Sequence, residues 1–206
     1  MENKSAQQAE AKKALRVHMR SLRTAQDLKT ARQASLAAQK HLLASPLWQE
    51  AQSVALYQAT QGEMETDLLF AAALRDGRKV CFPRVRRKEP GMMDFVPVKA
   101  KEDLVPGSFG ILEPAEDLVG LSCEDYICDV AVIPGVAFSA AGLRLGFGGG
   151  FYDRYFAKAR AGARVGFCFS FQLAQDSAME LVRDPWDVSM THICTENGLL
   201  AAVRQP

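Results

Sequence analysis

Apolar positions in this chain first recur at helical spacing and later give way to short runs of alternating character. Leu15, Met19 and Leu22 fall on one face of a predicted first helix, and a second amphipathic run extends from about Leu28 to Leu43. Pro46 is predicted to close that helical region, because proline cannot continue a helix that reaches it. Residues 54–57, 79–82 and 95–98 read as strands, and 66–75 as a helix capped by Thr66 and ended near Gly77. Residues 130–134 form an apolar run suited to a fully buried strand. The glycine-rich stretch beyond them, a helix over about 152–161 and a strand over 164–169 complete a predicted β-loop-α-β unit. Strands spaced by helices predict an α/β fold, a single domain over 1–206 with 1–10 as a loosely ordered extension. Its sheet should be largely parallel or mixed, with helices on both faces. Ligands of such sheets bind beyond the carboxyl ends of the strands, which directs attention to the segment after 130–134.

Composition narrows the classes open to this fold. A chain of 206 residues with 48% hydrophobic content can build one substantial core. A formal net charge of +1 gives no global field for nucleic acid or an anionic membrane, so any basic site must be local. The five cysteines, Cys81, Cys123, Cys128, Cys168 and Cys194, are odd in number and include no C-x-x-C pair, which argues against a disulfide framework and a structural zinc. The first thirteen residues are polar and no run approaches a membrane span, so the expectation is a cytoplasmic protein with no membrane partner.

The candidate chemistry is concentrated in GLRLGFGGGFYDRY, residues 142–155. Gly146, Gly148, Gly149 and Gly150 remove side chains from a bend whose backbone N–H groups can then turn toward an anion. The P-loop pattern fails, because Phe151 stands where lysine is required, and the dinucleotide fingerprint fails for want of a third glycine there. The glycines alone leave two readings, a tight turn needing positive φ and an anion cradle. Arg144 before the loop and Asp153 after it favour the cradle, supplying a cation for phosphate and a carboxylate for magnesium. Lys12 and Arg16 sit four apart on one helical face and can grip one polyphosphate, with Lys13 beside them; Arg20 and Arg23 extend the stripe and read as surface charges. Arg84, Arg86, Arg87 and Lys88 form a further basic cluster that reads as a solvated turn.

Residues 133–138 (IPGVAF), Gly142, Arg144-Leu145-Gly146, Gly148-Gly149-Gly150 and Tyr152-Asp153-Arg154 together resemble the signature of the 5-formyltetrahydrofolate cyclo-ligase family, also called 5,10-methenyltetrahydrofolate synthetases. Lys12-x-x-Leu15-Arg16, Glu63-x-x-Thr66, Pro83-Arg84, Gly110-Ile111-x-Glu113-Pro114 and Asp187 fit the same pattern, so the resemblance spans nearly the whole chain. It implies ATP-dependent cyclisation of 5-formyltetrahydrofolate with magnesium, by a monomer whose partners are these small molecules. It further implies that Lys12 and Arg144 carry the catalysis. Lys12, Lys13, Arg16, Arg144, Leu145, Gly146, Phe147, Gly148, Gly149, Gly150, Phe151 and Tyr152 would bind the nucleotide. Gln58, Glu63, Phe109, Phe147, Gly148, Gly149, Gly150 and Phe151 would line the folate site, and Asp153 and Asp187 would ligate magnesium. The chain departs from the pattern at Phe147 and Gly149, where some members carry basic residues, at Trp186 and at Thr191. A non-catalytic folate- or nucleotide-binding paralogue and a sugar-phosphate enzyme of similar fold are the competing readings. An Arg144→Ala variant is expected to lose turnover with its melting temperature nearly unchanged.

Overall fold

A computed structural model describes residues 2–60, 62–121, 127–174, 181 and 183–203; Cys123 lies outside them. Its elements run α1 (Glu2–Thr24), α2 (Leu28–Leu43), α3 (Pro46–Glu50), β1 (Ser53–Ala55), α4 (Asp67–Arg75), β2 (Lys79–Val85), β3 (Met93–Pro97), β4 (Leu104–Pro106) and β5 (Leu112–Pro114). They continue through β6 (Ile127–Ile133), β7 (Ala137–Ser139), β8 (Arg144–Leu145), α5 (Phe151–Phe156), β9 (Arg160–Phe167), β10 (Leu173–Ala174), β11 (His192–Thr195) and β12 (Gly198–Ala201). The main sheet has seven strands in the order β12-β11-β9-β6-β1-β2-β3. Neighbours from β11 to β2 are parallel, while β12 and β3 join the two edges antiparallel. The mixed sheet of the sequence reading is thus parallel at its centre and antiparallel at its rims.

Period-two alternation divides the core between the two faces of this sheet. Val54, Leu56, Val80, Phe82, Val130, Val132 and Val165 point to one side, where α2, α3 and α4 supply Ala38, Leu42, Trp48, Leu69 and Phe70. Ala55, Cys81, Ala131 and Ile133 point to the other, under Phe138 of β7 and Tyr155 and Phe156 of α5. The residues at 35, 38, 39 and 42 that α2 buries follow the i, i+3, i+4, i+7 spacing of an amphipathic helix. Asp27 caps that helix by accepting from Thr30 N at 2.9 Å.

Several boundaries differ from the sequence reading for local reasons. Pro46 opens α3 instead of ending a helix: it occupies the first turn, where no N–H is needed, behind the Ser45 cap. Thr66 precedes α4 but makes no side-chain cap; its hydroxyl donates to Tyr57 O at 2.7 Å. The first amides of α4 are met from α2 instead, where Gln39 Oε1 accepts from Leu68 N at 2.8 Å and Leu69 N at 3.2 Å. The helix predicted over 152–161 is the shorter α5, because the chain turns after Phe156 and is already in β9 at Arg160. Between β6 and the glycine bend the chain also inserts the β7–β8 hairpin, which pairs with β10 in a small second sheet.

Candidate active site

The glycine bend leaves β8 and enters α5 above the carboxyl ends of β6 and β1, where an open α/β sheet places ligands. Gly148 (φ +105°) and Gly150 (φ +64°) adopt conformations that side chains disfavour, so the turn reading and the cradle reading of these glycines are compatible. The bend carries no cation of its own and receives them from elsewhere. Arg16 Nε donates to Gly146 O at 2.9 Å, and Arg154 reaches Gly149 O from α5 and Gly91 O at 2.8 Å. Arg20 and Arg23 of α1 stand over the Phe147 ring, at 5.8 and 5.3 Å from its centroid.

Arg144 lies beneath the bend with its side chain only 4% exposed. Its Nη2 pairs with Asp153 Oδ2 at 2.8 Å, and its guanidinium stands over the Tyr152 ring at 5.5 Å. Asp153 Oδ1 accepts from Val188 N at 3.2 Å, tying the bend to the segment that carries Asp187. Arg144→Ala would strand a partly buried carboxylate, so the pair argues for a fall in melting temperature where a nearly unchanged one was expected. Across the cleft Lys12 Nζ donates to Asp184 Oδ2 at 2.7 Å and lies 3.5 Å from Asp187 Oδ2. That oxygen also accepts from Asp184 N at 2.8 Å.

Gln58, Glu63, Phe109, Tyr152, Asp153, Asp187, Lys12, Arg16, Arg144, Leu145 and the whole bend from Gly146 to Phe151 face one cleft of about 900 Å³. Of the proposed site residues only Lys13 is absent from its walls; it points outward, 72% exposed and 3.8 Å from Glu10, because adjacent helical positions diverge by about 100°. Glu63 sits in a half-buried turn, where its Oε2 accepts from Thr60 N at 3.0 Å. Burial pushes its carboxyl up to about 7, against the lowering effects of that amide and of Arg23. Phe109, at φ +57° and 75% exposed, packs edge-on to Phe151 with ring centroids 6.3 Å apart.

Sequence reasoning passed over other cleft residues. Asp184 and Trp186 share the turn of Asp187, and the D-P-W-D string with its turn-forming proline was the available signal. Glu113 is buried on β5 with its carboxyl raised by desolvation; it belonged to a quoted motif but was given no role. Arg20 lines the cleft while remaining exposed, whereas Arg23 is only 4% exposed, so the reading as a surface charge is corrected for Arg23. Periodicity could place them on the stripe of Arg16 but could not reveal what covers it. The basic turn at 84–88 is held by its own acids, with Arg86 2.6 Å from Asp94 and Arg87 2.7 Å from Glu116. Thr191 is outside the cleft, bonded to the backbone of Arg164 in the sheet, so that departure does not touch the site. Among the described residues no group of three or more acid, histidine or cysteine ligands gathers as a metal centre, and no helix is long and apolar enough to cross a membrane.

A parallel-centred α/β sheet with a glycine bend, converging cations and an aromatic-walled cleft defines the architecture of an α/β enzyme with a small-molecule cleft. The model of the 5-formyltetrahydrofolate cyclo-ligase family matches residues 8–196. The 5-formyltetrahydrofolate cyclo-ligase of Escherichia coli is 30% identical over 147 residues, covering 70% of this chain and 78% of that protein. A probable 5-formyltetrahydrofolate cyclo-ligase of Caenorhabditis elegans is 35% identical over 119 residues, 56% of this chain and 58% of its own length. The NMR structure of Aquifex aeolicus 5,10-methenyltetrahydrofolate synthetase superposes with a TM-score of 0.79 at 30% identity, covering 95% of this chain and 94% of that one. The chain belongs to the 5-formyltetrahydrofolate cyclo-ligase family, a family of ligases.

Proposed function

We propose that this protein cyclises 5-formyltetrahydrofolate to 5,10-methenyltetrahydrofolate, consuming ATP and releasing ADP and phosphate. The reading is carried by the convergence of Lys12, Glu63, Arg144, the glycine bend, Asp153 and Asp187 on one cleft from segments far apart in sequence. A formamide oxygen is a poor leaving group, so the chemistry runs in two steps. The formyl oxygen attacks the γ-phosphorus and ADP departs, leaving a phosphorylated, imidate-like formyl carbon. N10 then attacks that carbon, and the C–O bond breaks as phosphate leaves with the former formyl oxygen and N10 loses its proton.

Alignment and charge neutralisation suffice for the first step, and this inventory suits them, offering Arg144, Arg16 and Lys12 with the amides of the bend. Lys12, now shared between Asp184 and Asp187, would exchange a carboxylate for phosphate as the nucleotide enters. Glu63 as a carboxylate can accept two N–H bonds from the amidine edge of the pterin, while Gln58, Phe109 and Phe151 enclose the ring. Magnesium prefers one or two carboxylates together with phosphate oxygens and water, which fits Asp153 and Asp187. Each oxygen of Asp153 accepts a single bond, and Asp187 Oδ1 accepts none among the described residues, so lone pairs remain for a metal. When bound, the ion would supply neutralisation of the γ-phosphate charge.

The test is growth of methenyl-folate absorbance on adding 5-formyltetrahydrofolate, ATP and magnesium to the purified protein. Growth that needs all three supports the proposal. Folate or nucleotide binding without any absorbance change would instead mark a regulatory binder, and indifference to folate would reject both.

A further inference from the structure

Arg23 ends α1 as a buried cation with no ion pair among the described residues. At 4% exposure it is enclosed, and its Nε has no hydrogen-bond partner. One side is covered by the turn that carries Glu63: a Cβ built on Gly62 would stand 3.6 Å from Arg23 Cγ and 3.7 Å from its carbonyl oxygen. The other side is covered by Phe147 of the glycine bend, 5.3 Å from the guanidinium. Arg20, also over that ring, is exposed and its charge is screened by water. Arg23 therefore touches both loops of the cleft without lining it.

We infer that Arg23 is a positioning residue: packed between Gly62 and Phe147, it fixes the Glu63 turn against the glycine bend so that Glu63 faces the substrate cleft. A guanidinium in this place is costly unless negative charge accompanies it. Besides burial, the Thr60 amide and Arg23 from α1 act on the Glu63 carboxyl, which in turn acts on the phenols of Tyr57 after β1 and Tyr152 of α5. Burial raises both phenols above their usual range, so they stay neutral and Arg23 supplies the charge of the set. Glu63 is in turn the acid that raises Arg23 against desolvation. The planar face on Phe147 fixes distance, and the charge fixes protonation.

The inference rests on Glu63 as the folate-binding acid, and kinetics on Arg23→Met, Arg23→Lys and Glu63→Gln separate the two claims. Arg23→Met should raise the KM for 5-formyltetrahydrofolate about tenfold and move the acidic limb of kcat/KM upward by about one pH unit, leaving kcat on the alkaline plateau nearly intact. Arg23→Lys keeps the charge but loses the flat stack, so the limb should return toward its original place while KM stays raised. An Arg23→Lys enzyme with unchanged KM overturns the positioning role even if Arg23→Met fails to fold. A limb that does not move in Arg23→Met overturns the electrostatic role. Glu63→Gln with full activity would sink the underlying reading of Glu63, whereas an inactive Glu63→Gln beside unaffected Arg23 variants sinks only this inference.

Discussion

Glu63 sets two pH dependences of opposite sense. On the proposed reading its carboxylate is the form that would accept pterin N–H groups, so kcat/KM should decline as pH drops through about 7 and level off above it. Stability runs the other way: the folded protein holds a proton there that the unfolded chain releases near its ordinary value of 4.5, so this group's contribution is lost as pH rises from there through about 7. Glu63→Gln should therefore melt a few degrees higher than wild type in alkaline buffer, roughly equal to it in acid, and turn over poorly throughout. Thermal melts on both sides of the range check the sign. At Arg144, function and stability are entangled by the Asp153 pair. Arg144→Ala should cost about 3–5 kcal/mol and cut turnover roughly a hundredfold. Adding Asp153→Asn to Arg144→Met should recover much of the melting temperature without recovering activity; joint recovery would make Arg144 a packing residue.

At the scale of elements, the sheet was legible where a strand alternates and opaque where it is brief. Val130, Ala131, Val132 and Ile133 announce β6 because each face has its own apolar lining. The hairpin of β7 and β8 spans too few residues for any period to emerge, so its small sheet was invisible. The Thr66 cap failed for a related reason: the amides of α4 are satisfied by Gln39, a partner that becomes adjacent only after folding. A similar long-range clamp joins the start of β1 to β6, where Asp129 Oδ2 accepts from Gln52 N, Ser53 N and Ser53 Oγ, each at 2.8 Å. These bonds hold the Asp129 carboxyl below its usual range despite partial desolvation, so the clamp should weaken as pH falls through that lowered value. Asp129→Ala should cost about 1–3 kcal/mol in denaturant unfolding while kcat stays unchanged, since the residue lies at the end of the sheet away from the cleft.

Taken as a whole, the molecule gathers its chemistry from α1, the β1 and β6 ends, the bend and the turn at 184–187. The motif residues were readable because they match the family's signature; Arg23 was not, since only the packing of Gly62 and Phe147 distinguishes it from a solvated arginine. The two tryptophans give a built-in reporter. Trp48 is 2% exposed in the core, whereas Trp186 is 68% exposed on the cleft wall. Saturation with nucleotide or folate should quench the Trp186 emission alone, and Trp186→Phe should abolish the change; a constant spectrum in an actively turning-over sample would place the ligand elsewhere. One consequence concerns α1, whose buried contacts are Met19, set against Val136, Ala137 and Leu145, and Arg23. Three of the cations that serve the bend, Arg16, Arg20 and Arg23, ride on a strut outside the main sheet, so a preparation clipped before Asp27 should keep its seven strands and lose a large share of its helical circular dichroism, yet be catalytically mute.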